Sequence, residues 1–307
     1  MNDLSFLPYD VENIIASRAR MGLIALATDH VIEHELNKLF NGIKGVQLYT
    51  TKVPMVPNVT TDTLKSMDDE LQKTAKTLLP GNKFSVVGYG CTSASVVIGE
   101  DKVFQTIKAA CQTSSVTTPI TACLAALKTL KGKKIGLLTP YVGEVNSLIQ
   151  RYFEAHEYCI TKSITFSEID DNRAGKITPA SISSAVVDQF SREDIDFIFI
   201  SCTSLRAVEL VPILEGQLQC NVTTSNHALA WHMLRLSGID DKYSDKGELF
   251  KNSTITKFAL FFTSSVGKLY NPKTAFFLAT GCLENSENLI CVLSTINLPA
   301  YLESITR

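Results

Sequence analysis

The chain has 307 residues, enough for two domains of ordinary size that each bury a core of their own. With 45% hydrophobic and 20% charged residues it has the composition of a globular protein, which excludes a disordered, collagen-like or coiled-coil chain. A formal net charge of -2 without any Lys/Arg run excludes the basic stripe that phosphate-backbone binding needs, so no nucleic-acid partner is expected.

The stretch Met1 to Phe6 carries no basic residue and no apolar h-region, and no run of about 18 apolar residues follows. A cytoplasmic protein with no membrane association is expected. The cysteines stand at 91, 111, 123, 159, 202, 220, 282 and 291, without the Cys-x-x-Cys pairs of a zinc site, so no structural metal is expected. In a reducing compartment most of them are small core hydrophobes.

In chain order, the first clear element is the apolar run Arg20 to Leu26, a buried strand ending in Ala27-Thr28-Asp29. A second strand, Phe84 to Gly90, runs into Cys91-Thr92-Ser93. Val116-Thr117-Thr118-Pro119 then leads into a helical pattern over Ala122 to Leu130. The same three signals recur: the strand Lys134 to Pro140, the strand Asp196 to Ser201 running into Cys202-Thr203-Ser204, and Val222-Thr223-Thr224-Ser225 leading into a helix from Asn226 to Leu236. Gly22 to Cys91 is 69 residues and Gly136 to Cys202 is 66, so the order and the spacing both repeat.

Helical patterns at Asn146 to His156, Ile182 to Phe190 and Leu205 to Gln217 alternate with these strands. The alternation predicts an α/β protein of two similar Rossmann-like domains, with parallel sheets related by a pseudo-twofold axis. The expected domains are 18–115 plus about 226–250, then 116–225, with 251–307 as a C-terminal extension of unclear structure. The helix from Asn226 is expected to cross back onto the first domain. His227 and His232, five apart on that helix, are expected in core or surface roles and not as ligands.

Each Cys-Thr-Ser is expected where a strand stops and a helix begins, the place where open α/β sheets bind ligands. There the helix N-terminus and the Thr and Ser hydroxyls form an anion pocket, and a thiol is expected to fall from about 8.5 to roughly 3.5–7.5. The duplication would set Cys91 and Cys202 on opposite sides of one cleft, one attacking or deprotonating while the other delivers a proton. Thr92, Ser93, Thr203 and Ser204 are the expected donors to a substrate carboxylate.

The sequence resembles the maleate cis-trans isomerase and arylmalonate decarboxylase branch of the aspartate/glutamate racemase superfamily, nearest to its ectoine-utilisation members. The matching stretches are Arg20 to His30, Tyr89 to Gly99, Leu138 to Tyr141, Ile200 to Ala207 and Val222 to Asn226. The resemblance implies a cofactor-independent enzyme with its active site between two halves. It also implies a first cysteine that adds to an alkene carbon, rotation about the C–C bond, and a second cysteine that assists as acid or base, roles that fall to Cys91 and Cys202. It assigns substrate contacts to Tyr141 and to Asn172, the latter with a turn role as its alternative.

Where maleate isomerases carry a substrate-binding asparagine, this chain has Asp29. A carboxylate beside a dicarboxylate is unfavourable unless protonated or paired, so Asp29 is expected to recognise an ammonium or amide or to orient His30, with a solvated helix cap as the alternative. Arylmalonate decarboxylases keep only the second cysteine, so two thiols favour isomerisation or racemisation over decarboxylation. The expected partner is a small carboxylate, bound by a homo-oligomer, and a non-catalytic binding protein stays open as a different class.

Overall fold

The computed structural model describes residues 6–12 and 15–253. Of the expected extension at 251–307, all but 251–253 lies outside the described residues, Cys282 and Cys291 included. The strands are β1 (Ala19–Leu26), β2 (Val46–Val53), β3 (Phe84–Gly90), β4 (Thr113–Thr117), β5 (Lys134–Thr139), β6 (Cys159–Thr165), β7 (Phe197–Ile200) and β8 (Asn221–Thr224). The helices are α1 (Ile32–Phe40), α2 (Thr61–Lys76), α3 (Thr92–Ile98), α4 (Glu100–Ala110), α5 (Pro119–Leu130), α6 (Gly143–Ala155), α7 (Asp171–Ala174), α8 (Pro179–Phe190), α9 (Val211–Leu218) and α10 (Ser225–Leu236).

The strands form two four-stranded sheets of identical order, β2-β1-β3-β4 and β6-β5-β7-β8. Every neighbouring pair is parallel. The inner strands β1, β3, β5 and β7 are buried along almost their whole length, because helices cover both faces of a parallel sheet, and so they read as unbroken apolar runs. Of the strands at the sheet edges, β2 and β6 carry Thr and Lys and are only partly buried, so no apolar run announces them.

Gly22 and Gly136 occupy matching positions on the two inner strands. A Cβ at Gly22 would lie 2.5 Å from Leu78, and one at Gly136 would lie 2.9 Å from Ile195. Glycine lets a covering side chain reach the sheet backbone at both places.

The repeated Val-Thr-Thr runs gain a local explanation. Thr118 accepts from Thr121 N–H and Thr224 from His227 N–H, so the second threonine of each run caps the helix that follows. The first threonines, Thr117 and Thr223, bond Nδ1 of His232 and His227, both at 2.8 Å. Burial holds each imidazole down at about 4, so both histidines are neutral core residues.

Helix α10 is buried on all sides from Ser225 to Arg235, the mark of an interior helix and not of a surface one. It leaves β8 of the second sheet and packs against α1, β3 and β4 of the first, and against α5. The domain boundary expected at 116 falls inside a strand. Val116 and Thr117 pair with Val87 and Gly88, so the first sheet runs to Thr117. Among the described residues no helix is long and apolar enough to cross a membrane.

Candidate active site

The carboxyl ends of β3 and β7 bring the two Cys-Thr-Ser runs together. The Thr203 hydroxyl donates to the Gly90 carbonyl at 3.3 Å, so the residue after one cysteine touches the residue before the other. Both thiols are buried, Cys91 at 3% and Cys202 at 4% exposure. Cys91 caps α3, its Sγ accepting from Ala94 N–H at 3.4 Å, while Cys202 Sγ accepts from Ser204 N–H at 3.4 Å. The two settings differ in one respect from expectation. A helix follows Cys91 directly, whereas turns follow Cys202 and helix resumes only with a 3₁₀ turn at Val208–Leu210. Glu35 accepts from Ala207 and Val208 N–H where helical structure resumes.

Tyr141, buried just beyond β5, stands against Cys202 of its own half and Ser93 of the other. Asp171, at the start of α7, accepts from Ser204 Oγ at 2.7 Å and from Thr28 Oγ1 at 2.6 Å. It thereby ties the end of β1 to the second cysteine motif. The chain around it is held to the first half by a bridge between Asn58 and Asp170, with Val59 N–H donating to Ile169 O at 2.8 Å and Asp171 N–H to Pro57 O at 2.9 Å.

Asp29 is 1% exposed, and its Oδ1 accepts from Val31 N–H at 2.7 Å and Ile32 N–H at 2.9 Å. It caps α1, but from a buried position and not a solvated one. It does not orient His30, which is exposed and lies against Gly175. Glu35, on the buried stripe of α1, takes Ala207 N–H at 2.8 Å and Val208 N–H at 3.0 Å on one oxygen and Asn226 Nδ2 at 2.7 Å on the other. One carboxylate thus joins α1, the loop after Cys202 and the start of α10.

The electrostatics reverse the thiolate expectation. Burial pushes Cys91 up to about 12, against the pull of Ala94 N–H and Ser93, and the Asp171 and Asp29 carboxylates add to the rise. Cys202 is raised for the same reason, with Asp171 again adding. A single backbone N–H donates to each sulfur, from the start of α3 for Cys91 and from a turn for Cys202, too little to offset desolvation and two nearby carboxylates. Burial also raises Asp29, and it lifts Glu35 to about 7.

Of the residues expected at the site, Cys91, Cys202, Asp29, Ser93, Tyr141, Thr203 and Ser204 share this cluster. The Thr92 hydroxyl is bonded to Ser225 Oγ at 2.7 Å, and those of Thr203 and Ser204 to Gly90 and Asp171. Three of the four expected hydroxyl donors therefore serve the framework. Asn172 is half-buried and bonds through its backbone N–H to Asp170 Oδ1 at 2.8 Å, while its neighbour Asp171 is the side chain bonded into the cluster. Sequence reasoning missed Asp171, Glu35 and Asn226. Glu35 left one trace, a carboxylate three residues after Ile32 and one before Leu36 on an otherwise apolar face. Among the described residues no group of three or more His, Cys, Asp or Glu is placed to hold a metal ion. A cavity of about 460 Å³ lined by Lys83, Lys108, Cys111, Gln112 and Thr113 lies at the amino ends of β3 and β4 and holds none of these residues.

The arylmalonate decarboxylase family model matches residues 35–250. The chain belongs to the arylmalonate decarboxylase family. Within the wider set of relatives, it is 23% identical over 248 residues to the maleate isomerase of Pseudomonas putida, covering 76% of this chain and 98% of that one. It is 26% identical over 123 residues to the arylmalonate decarboxylase of Bordetella bronchiseptica, covering 40% of this chain and 51% of that one. Among solved structures, a cysteine mutant of the Nocardia farcinica maleate cis-trans isomerase with a covalently bound succinylcysteine intermediate superposes with a TM-score of 0.70 at 19% identity, covering 76% of this chain and 98% of that one. The fold is therefore that of the family, two parallel four-stranded sheets with helices.

Proposed function

We propose that the chain is a cofactor-independent isomerase of the maleate cis-trans type, acting on a small carboxylate through Cys91 and Cys202. The observation that carries this reading is the Thr203 to Gly90 contact, which sets the two cysteine motifs edge to edge at the carboxyl ends of both sheets. The succinylcysteine named for the Nocardia farcinica structure supports thiol addition as the chemistry.

In the proposed cycle Cys91 Sγ bonds to one alkene carbon and its proton passes to Asp171, the carboxylate with the larger effect on that thiol. The alkene π pair takes a proton from Cys202 at the other carbon. The resulting single bond rotates. Cys202 then recovers a proton from that carbon, the S–C bond breaks with return of the double bond, and Asp171 returns the proton to Cys91. Atoms and charge balance without an external reagent. Both thiols rest protonated, so catalysis depends on a base at hand rather than on a standing thiolate.

The test is a Cys202→Ser protein incubated with maleate and related unsaturated acids and examined by intact mass and peptide mapping. A one-substrate adduct on Cys91 is expected. Unchanged turnover in a Cys91→Ala protein would sink the reading. Following the alkene's ultraviolet absorbance beside optical rotation separates cis-trans isomerisation, which changes the first, from a racemase, which changes the second.

A further inference from the structure

Two buried acceptors beside the paired cysteine motifs lack donors. Asp29 uses Oδ1 for two backbone N–H groups, while its Oδ2 has no partner on a residue 1% exposed. Asn226 is wholly buried, and its Nδ2 donates to Glu35 Oε2 at 2.7 Å and to the Thr203 carbonyl at 2.8 Å. Both of those partners accept, so the amide orientation is fixed and Oδ1 is left as an acceptor without a donor. Thr203 links the pair: its carbonyl receives Asn226, and its hydroxyl, which donates to Gly90 at 3.3 Å, is also the one side-chain donor within reach of Asp29, so a single hydroxyl proton is shared between two acceptors. A buried acceptor left without a donor is destabilising. Protonation could relieve Asp29, but only an incoming donor can satisfy Asn226 Oδ1.

The charges point the same way. Asp29 feels the charge of Asp171, and Glu35 feels that of Asp29. Lys52, the cation bonded to this segment, goes to the Asp29 backbone carbonyl at 3.1 Å and to Glu33 at 2.7 Å instead of to any of these three carboxylates. A ligand bringing only negative charge would deepen the repulsion among these buried groups, whereas one carrying a cationic donor reverses it.

We propose that the cleft recognises a carboxylate that also bears an ammonium group, its N–H donors going to Asp29 Oδ2 and Asn226 Oδ1. The inference rests on the cleft being the active site and names the substrate class it takes. Groups facing Asp29 are Asp171 from α7, Glu35 from α1, and Cys91 and Cys202 at the strand ends.

Calorimetric titration of the full chain with matched acids, succinate against aspartate and glutarate against glutamate, tests it. At least one amino acid is expected to bind about tenfold tighter than its partner. Asp29→Asn keeps an oxygen for Val31 and Ile32 N–H and is expected to bring the ratio below about twofold. In the unmodified chain the ratio is expected to rise with pH as Asp29 ionises, which keeps the test alive should the variant not fold. A ratio near one, preference for the acid without nitrogen, no binding within either pair, or a ratio that stays flat or falls with pH overturns the inference. Protection of Cys91 from alkylation by the bound acid, without any amine preference, overturns this inference alone. Binding that protects neither thiol overturns the active-site reading with it.

Discussion

Cys91 and Cys202 keep their protons because burial and two carboxylates outweigh one backbone donor apiece. Alkylation of Cys91 is accordingly expected to be slow at neutral pH and to rise about tenfold per pH unit toward its value of about 12. Asp171→Asn removes a negative charge beside the thiol and is expected to speed alkylation at fixed pH, which a time course with iodoacetamide measures. Glu35 carries a second pH dependence. Its folded-state value of about 7 lies above the ordinary 4.5, so the folded protein holds that proton more tightly than the unfolded chain. The stability it contributes is present below 4.5 and is lost as pH rises through about 7. Glu35→Gln is expected to flatten that part of the stability curve, read by calorimetry across the same window. Both cysteines and Asp29 were legible in the sequence, because a repeated tripeptide and an acid after a buried strand are local signals. Asp171 and Asn226 were not, since each acts through partners far away in the chain, Asp171 on Thr28 and Asn226 on Glu35.

Among the elements, the inner strands could be read from composition, and β2 and β6, at the sheet edges, could not. β2 and β6 present one side to solvent and tolerate Lys and Thr, so nothing in their residues separates them from loop. The same logic makes the inner glycines the sensitive positions. Gly22→Ala would set a methyl 2.5 Å from Leu78, and Gly136→Ala one 2.9 Å from Ile195. Each is expected to cost about 1–3 kcal/mol by overpacking, measurable by urea denaturation. The threonine caps at Thr118 and Thr224 were visible only as a repeated Val-Thr-Thr, and their role follows from the helices they start.

At the scale of the molecule, α10 carries the chain from the second sheet onto the first, and its Trp231 and Arg235 both donate to the Asn252 carbonyl, at 3.1 and 3.0 Å. Phe250 is wholly buried beside His227, ring centroids 4.8 Å apart. A chain ended after Ser253 is therefore expected to remain soluble and keep its thiol reactivity, while one ended before Leu249 loses cooperative melting by circular dichroism. The sequence by itself determined the duplication, the two parallel sheets and the paired cysteines, because strand runs and repeated motifs are written in consecutive residues. Only the tertiary structure decided the protonation of the thiols, the bonding of the Thr and Ser hydroxyls and the carboxylates around the cleft. Those depend on desolvation and on partners from the other half, and neither is encoded in a residue's neighbours along the chain.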